Sequence, residues 1–315
     1  MGNSRDSRDR WNQTRRERRR MRREGIEIEF PRTDQLTAEE IIEQRERQYA
    51  VAKEAQDDRH LIHIKRDDLK PIGIVHLGDP HLDDDGTDWH QLKADIRTIR
   101  NTPGLYAANI GDTTNNWAGR LARLYGQQST SAAQGWILTE WLMQQLAGKW
   151  IYILAGNHGA WSGDGDPAMW IARQVGALYE RFSSRVAIDF PNGKSVVVNA
   201  RHDFPGNSQW NPAHGPSKNA MFGLRDDIHI SGHKHTTGYN VVKDPAEGKI
   251  CHCLQVGTYK RIDRYADEKG FRDQMISSSV TTVINPKATD PRDLIQVFWS
   301  AQTASEFLRW LRRGE

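Results

Sequence analysis

Residues 72–81 read IGIVHLGDPH, and this stretch decides the fold class. Its first six residues are mostly apolar without alternation, which is typical of a strand buried on both faces of a parallel sheet. Gly78 follows this run directly, and Asp79 and His81 come next in the sequence. In open α/β sheets, ligands bind at the carboxyl ends of the strands. The stretch therefore predicts a buried strand that ends in ligand-binding side chains.

Short apolar runs alternate with helical patterns from residue 71 onwards. Predicted strands at 105–110 and 150–155 are interleaved with predicted helices at 89–100, 135–146 and 168–182. This alternation predicts an α/β protein with a largely parallel sheet. After residue 185 strands dominate, at 186–190, 195–200, 228–231, 239–242, 250–256, 279–284 and 294–299. A mainly β second half predicts a second sheet stacked on the first.

The sequence predicts four parts in the chain. They are an Arg-rich flexible arm at 1–35, an N-terminal helix at 36–60, the α/β domain at 71–300 and a C-terminal helix at 301–315. Thr37 and Glu40 have the spacing of a capping box, which predicts the start of the N-terminal helix. The pattern leaves open whether that helix packs on the body or mediates association.

The charge of the chain is unevenly distributed. Residues 1–23 contain ten Arg and three acidic residues, whereas the remainder contains 34 basic and 38 acidic residues. A basic arm on a mildly acidic body is suited to binding a phosphate backbone, which predicts nucleic acid as a partner. The alternative is a solvated tail that only aids solubility.

Composition excludes two classes of protein. No apolar run reaches the ~18 residues of a transmembrane helix, and the basic N-terminus lacks the apolar segment of a secretory signal. Cys251 and Cys253 are the chain's two cysteines, which excludes a disulfide scaffold and predicts a reducing compartment. We therefore expect a cytoplasmic protein with both cysteines packed in a strand of the core. The Arg-rich arm on a compact one-domain chain further predicts a prokaryotic or phage origin.

Polar residues recur directly after five of the predicted strands. These clusters are Asp79-Pro80-His81, Gly111-Asp112, Gly156-Asn157-His158, His202-Asp203 and Gly232-His233-Lys234-His235. Carboxylate, imidazole and amide oxygen without thiolate suit divalent Mn²⁺, with Fe or Zn²⁺ as alternatives. The i, i+2 spacing of Asp79 and His81 places both side chains on one side of the chain, as a chelating pair requires.

This ordered set of motifs, spread over residues 71–260, resembles the calcineurin-like metallophosphoesterase superfamily. In motif style it is similar to the nuclease subunit of DNA-repair complexes and to phosphodiesterases. The resemblance implies a four-layer α/β/β/α sandwich with two divalent metal ions. It implies a first ion held by Asp79, His81 and His235, and a second held by Asn157, His202 and His233. It further implies that Asp112 bridges the ions and that His158 is a catalytic residue that binds neither.

Two positions depart from patterns in that superfamily. Gly159 follows the Gly-Asn-His motif, where many members have Asp or Glu. The run after Asp112 contains no Arg until Arg120, unlike the Ser/Thr protein phosphatases. These departures leave the ligand set complete and argue against a protein phosphatase. They leave open which group orients His158.

The motifs and the arm together predict a nuclease that cleaves DNA or RNA phosphodiester bonds with a metal-activated hydroxide. A phosphatase or phosphodiesterase for small or protein-borne esters is the alternative, and a non-catalytic binding scaffold is a third. We expect Asn116, Arg120 and His214 to contact substrate. Three tryptophans near the motifs have two interpretations, base stacking or core packing; they are Trp117, Trp161 and Trp210.

Overall fold

The computed structural model describes residues 16–17, 19–26, 36–58, 61–162, 165–263, 267–268, 270 and 275–313. The chain forms two compact units, Met1–Asp57 and Asp58–Glu315. Of the predicted arm at 1–35, residues 19–23 are helical, and most of that prediction lies outside the described residues. Helix α1 spans Ala38–Asp58. The predicted capping box is confirmed, since Thr37 N–H donates to Glu40 Oε2 and Glu40 N–H donates to Thr37 Oγ1.

The second unit contains twelve strands in its described residues. In chain order they are β1 Ile62–Lys65, β2 Ile72–Leu77, β3 Leu105–Asn109, β4 Trp150–Leu154, β5 Tyr179–Glu180, β6 Ser183–Asp189, β7 Ser195–Arg201, β8 Ile228–Ser231, β9 Gly238–Lys243, β10 Ile250–Gln255, β11 Ser279–Ile284 and β12 Ile295–Phe298.

Helices connect these strands. They are α2 Trp89–Arg100, α3 Ala132–Gln145, α4 Gly156–Ala160, α5 Pro167–Gln174, α6 His214–Phe222, α7 Pro291–Leu294 and α8 Ala301–Arg313, with a 3₁₀ helix at Gly119–Gln127. Helix α3 begins at the capping box formed by Ser131 and Gln134. Helix α5 begins behind Asp166, which accepts a hydrogen bond from the Ala168 N–H.

The strands form two mixed six-stranded sheets. The first sheet has the order β12-β11-β2-β3-β4-β5, and its strands β2 to β5 run parallel. The second has the order β1-β6-β7-β8-β10-β9, and its strands β7, β8 and β10 run parallel. In each parallel set the carboxyl ends lie at one edge of the sheet, which positions the polar residues that follow.

The layers follow from which side chains share a core. Ile74 and Leu154 of the first sheet pack in one cluster with Val198 and Ile230 of the second, so the two sheets are face to face. A second cluster joins helices α2, α3 and α8 to the outer face of the first sheet. Helix α6 packs on the outer face of the second sheet through Ala220. The fold is therefore the predicted α/β four-layer α/β/β/α sandwich.

The predicted helix at 168–182 is wrong in its second half. Helix α5 ends at Gln174, and Gly176 adopts φ of 68°, the left-handed conformation that commonly closes helices. Tyr179–Glu180 then forms strand β5 beside β4. Strands β1 and β5 are not predicted by the sequence. The four residues of β1 pair in parallel with β6 at the edge of the second sheet.

The structure also bears on two expectations about the cysteines and about membrane-spanning helices. Cys251 and Cys253 are free thiols, fully buried on β10 beside Val242, so their prediction as core residues is confirmed. No helix in the described part of the chain combines the length and the apolar character needed to cross a bilayer.

Candidate metal centre

The candidate site is built from residues that follow five strands of the sandwich. Asp79, Asp112 and Asn157 come after β2, β3 and β4 of the first sheet. His202 comes directly after β7, and His233 follows β8 of the second sheet. His202 Nε2 lies 3.1 Å from Asp112 Oδ2, so the two sheets meet at this point. The predicted convergence of the strand ends is what the structure shows.

The backbone at the site is unusual. In the described residues, the left-handed region contains five residues other than glycine, with φ from 38° to 67°: His81, Asp112, Asn116, His233 and His235. Each of the five was predicted as a site residue from sequence. Such conformations are costly for residues with a Cβ and cluster at functional sites. The loops are therefore bent to bring these side chains inward.

Close approach of backbone requires glycine at two of the motifs. A Cβ on Gly232 would lie 2.6 Å from Asp79 Oδ1. Gly156 has φ of 73°, and a Cβ there would overlap the Asp112 carboxylate. Glycine at these positions lets the second sheet approach Asp79 and the β4 loop approach Asp112.

We use the name Asp79 cluster for Asp79, His81 and His235. One ligand-type atom from each lies within 4.8 Å of the others. His235 Nε2 is 3.4 Å from Asp79 Oδ2, and that oxygen also accepts the His233 backbone N–H at 2.6 Å. Asp79 Oδ1 and both ring nitrogens of His81 are buried without a hydrogen-bond partner. The cluster therefore has buried lone pairs that its own side chains do not satisfy.

We use the name Asp112 cluster for Asp112, His202 and His233, which meet the same distance criterion. His202 Nδ1 lies 3.0 Å from the Ile110 carbonyl oxygen, which accepts a hydrogen bond from the Nδ1–H. Its Nε2 is 2.8 Å from Asn157 Oδ1 and 3.1 Å from Asp112 Oδ2. The resemblance assigned His202 and Asn157 to one ion with Asp112 as the bridging residue, and the structure brings these three side chains together.

The residues present fit divalent metal ions. A buried polar atom without a hydrogen-bond partner costs free energy, and a cation can satisfy Asp79 Oδ1 and one ring nitrogen of His81 together. The donors are imidazole nitrogens and carboxylate or amide oxygens, as the sequence analysis required. His229 also has two buried ring nitrogens without a partner, but it belongs to no cluster of ligand atoms in the described chain. The fit therefore depends on clustering as well as on missing partners.

Without an ion, the histidines of each cluster differ in charge. Burial and the neighbouring His158 and His235 hold the pKa of His81 well below its usual range. Burial opposes protonation of His202, but Asp112 and Asp79 outweigh it and raise the pKa to about 9. The pKa of His235 is also raised to about 9, because Asp263 and Asp79 outweigh its burial.

The other two residues of the Asp112 cluster, His233 and Asp112, both have a lowered pKa, which favours a neutral imidazole and a charged carboxylate. Burial and the nearby His202 lower the pKa of His233. Burial would raise the pKa of Asp112, but the adjacent histidines, His202 first, hold it well below its usual range. Asp112 is therefore an ionised carboxylate, as a bridging ligand must be.

His158 lies beside both clusters. Its backbone N–H donates to Asp112 Oδ1 at 2.9 Å, and its ring Nε2 is 3.8 Å from Asp112 Oδ2. Its Nδ1 lies 2.5 Å from the Asn115 carbonyl, which is the orienting group that the sequence left open. His158 also meets the distance criterion with His81 and Asp112, so geometry alone permits it as a ligand.

The predicted substrate residues are in three different settings. Asn116 Nδ2 donates to the His158 carbonyl at 2.7 Å, which places this side chain in the site. Arg120 is exposed on the 3₁₀ helix. His214 is the first residue of α6, beside Gly206, and the described contacts do not join it to either cluster. Substrate contact by these three residues stays a prediction.

The structure adds a residue that sequence reasoning missed. Asp263 Oδ2 is 3.7 Å from His235 Nδ1, and Asp263 Oδ1 is 3.3 Å from Lys260 Nζ. Lys260 Nζ also lies 3.0 Å from Asp84. A carboxylate on the far nitrogen of a ligating histidine fixes the ring and raises its basicity. No motif surrounds Asp263, so only the folded chain reveals this contact.

Known proteins offer one point of reference. No family model and no curated protein matches the chain. Among solved structures, it is similar to the NAD nucleotidase NadN of Haemophilus influenzae, with 10% sequence identity and a TM-score of 0.39. The match covers 73% of this chain and 49% of that chain, so the present chain spans about half the length of that structure. At this level of similarity, nothing about the activity of the present chain follows.

Proposed function

We propose that the chain is a phosphoric ester hydrolase that binds two divalent metal ions, one at the Asp79 cluster and one at the Asp112 cluster. The observation that carries this proposal is the convergence of five strand ends on two adjacent sets of ligand atoms. The ions are expected to neutralise a phosphate group and to lower the pKa of a water. Asp112 has two carboxylate oxygens, and one of its oxygens lies within 4.8 Å of a ring nitrogen of His81 in the Asp79 cluster, which suits a shared ligand.

The protein's own residues have distinct parts in this scheme. Asp79, His81 and His202 are buried, and they provide metal-binding atoms in surroundings where charges interact more strongly than in water. His158 Nδ1 faces the Asn115 carbonyl, so its N–H donates a hydrogen bond there and the ring is fixed. His158 Nε2 is left to give a proton to the leaving oxygen. No covalent nucleophile is needed.

We further propose a phosphodiester in nucleic acid as the substrate, with Mn²⁺ as the preferred ion. Support comes from the ten Arg within residues 1–23, which suit the closely spaced charges of a nucleic-acid backbone. The acidic excess of the remaining chain instead favours a small ester, which is the second candidate. The two candidates differ in whether the arm contributes to binding the substrate.

The metal proposal is tested with Asp112→Ala in the full chain, with Mn²⁺ and bis(p-nitrophenyl) phosphate. We expect loss of turnover and fewer than two bound ions, because both clusters lose a shared ligand. His90→Ala is the control, since His90 is exposed on α2 and belongs to none of the clusters of ligand atoms found in the described residues. Two retained ions with full activity in Asp112→Ala would remove the two-ion scheme.

The nucleic-acid proposal is tested by replacing the ten Arg of residues 1–23 with Gln. We expect DNA affinity to fall and its salt dependence to flatten, by a slope of about 0.9 for each phosphate no longer neutralised. Turnover of bis(p-nitrophenyl) phosphate should be unchanged, because the ligands all follow residue 71. Unchanged DNA affinity and salt slope would favour the small-ester candidate.

A further inference from the structure

Three aromatic rings meet at the side of the candidate centre. The Trp161 ring centroid lies 4.2 Å from that of His158, and the Trp117 centroid lies 5.2 Å from His158. The two indoles are stacked, with centroids 6.3 Å apart and planes 30° apart. Trp161 is 38% exposed, so part of its ring surface faces solvent next to the candidate catalytic histidine.

Hydrogen bonds hold the tryptophan pair in place. Trp117 Nε1–H donates to Gln128 Oε1 at 2.9 Å, and Gln128 Nε2 donates to the Thr130 carbonyl. Asn116 Nδ2 donates both to the His158 carbonyl and to Ser162 Oγ, which fixes the chain on either side of Trp161. The indole is therefore presented by a fixed support, which reduces the entropy that binding would cost.

Core packing does not account for Trp161. It is absent from the four clusters of buried apolar residues found in the described chain, and it is one of the exposed large apolar side chains. Trp210 is different again, because it is 92% exposed and the described ring contacts do not include it. Of the three tryptophans singled out in the sequence, Trp161 is the one that combines exposure with contact to His158.

We propose that Trp161 is the stacking platform for a nucleobase attached to the phosphate that the metal centre processes, with Trp117 as its support. This inference rests on the proposed function and deepens it, because it restricts the substrate to phosphate esters that carry a nucleobase. Stacking on an aromatic side chain accepts any base, since every base has a π-face. A platform of this kind gives selectivity for nucleotides over plain sugar or alkyl phosphates without selecting a sequence.

The test compares two ligands that differ only in the base, thymidine 5′-monophosphate and 2-deoxyribose 5-phosphate. Calorimetry measures their affinities for the full chain with Mn²⁺, as wild type, Trp161→Ala, Trp161→Phe and the control Trp310→Ala. Trp310 is 65% exposed on α8 and takes no part in the site. We expect wild type to prefer the nucleotide, and Trp161→Ala to lower that preference on the order of 10-fold. Phenylalanine should retain most of the preference, and Trp310→Ala should retain all of it.

Two outcomes would overturn the platform. The first is equal affinity of wild type for both ligands. The second is an equal loss of both affinities in Trp161→Ala, which would show that the indole only packs on His158. Either result leaves the proposed hydrolase intact if wild type turns over bis(p-nitrophenyl) phosphate. Conversely, base-dependent binding without turnover of any ester would remove the hydrolase and keep the platform.

Discussion

The Asp79 cluster and the Asp112 cluster contain the same kinds of ligand but differ in how these are satisfied. In the Asp79 cluster, one carboxylate oxygen and both nitrogens of His81 have no partner. In the Asp112 cluster, His202 is bonded on both nitrogens, to Ile110 and Asn157, and is paired with Asp112. An ion that binds at the Asp79 cluster contacts atoms that have no hydrogen-bond partner. An ion that binds at the Asp112 cluster must displace existing contacts. We expect the Asp79 cluster to bind the tighter ion.

The largest expected effect concerns His158, which lies beside both clusters. His158→Asn should keep both ions and lower turnover by about 10²–10⁴-fold, the range for loss of an acid–base group. Metal analysis and steady-state kinetics on the same preparation check this. Loss of an ion together with activity would make His158 a ligand, and the two clusters would then have to be redrawn around it.

The two clusters differ in how many of their polar atoms are hydrogen-bonded. This difference predicts that substitutions in the two clusters change the free energy of unfolding by different amounts. In metal-free protein, His202→Ala should lower the free energy of unfolding by about 3 kcal/mol, because it breaks a buried pair and removes the closest charged partner of the Asp112 carboxylate. His81→Ala should change it by less than about 1 kcal/mol, since no hydrogen bond is lost. Urea denaturation in a chelator measures both values. Equal destabilisation by the two substitutions would contradict the contrast.

A smaller effect is expected at Asp263, which contacts His235 of the Asp79 cluster. Asp263→Asn should weaken the ion at that cluster by roughly 10–100-fold, as for other carboxylates that orient a ligating histidine. Calorimetric titration with Mn²⁺ resolves the two binding events. A weakened second event with an unchanged first would assign Asp263 to the wrong cluster.

The smallest expected effect is the pH dependence of metal binding, in which the two clusters are alike. His202 and His235 each have a pKa raised to about 9, so at pH 7 each holds a proton that an ion must expel. Affinity at each cluster should therefore rise up to about tenfold per pH unit between pH 7 and 9, and level off above. Titration in buffers of different ionisation enthalpy counts the protons released. His202→Ala should remove one of the two.

Sequence reasoning reached the candidate ligands because they directly follow buried apolar runs, and all but the His202 cluster contain a glycine before the polar residues. The groups that orient those ligands have no such signature. His158 is oriented by the main-chain carbonyl of Asn115, which no side-chain identity reveals. Asp263 reaches His235 only through the path of its loop. The same limit applies to the fold, since β1 and β5 are short strands at sheet edges whose pairing comes from tertiary contacts.

Because Asp112 follows the first sheet and His202 follows the second, ligand atoms at the Asp112 cluster meet only when the sandwich has closed. An ion bound there recognises the folded chain and has little affinity for the unfolded one. Binding therefore adds to the folding free energy by mass action, by about 2.7 kcal/mol when the free ion is at 100 times its Kd. If the cluster binds an ion as proposed, the stability of the sandwich would depend on the surrounding metal concentration, and scarcity of the ion would weaken the fold as well as leave the site empty.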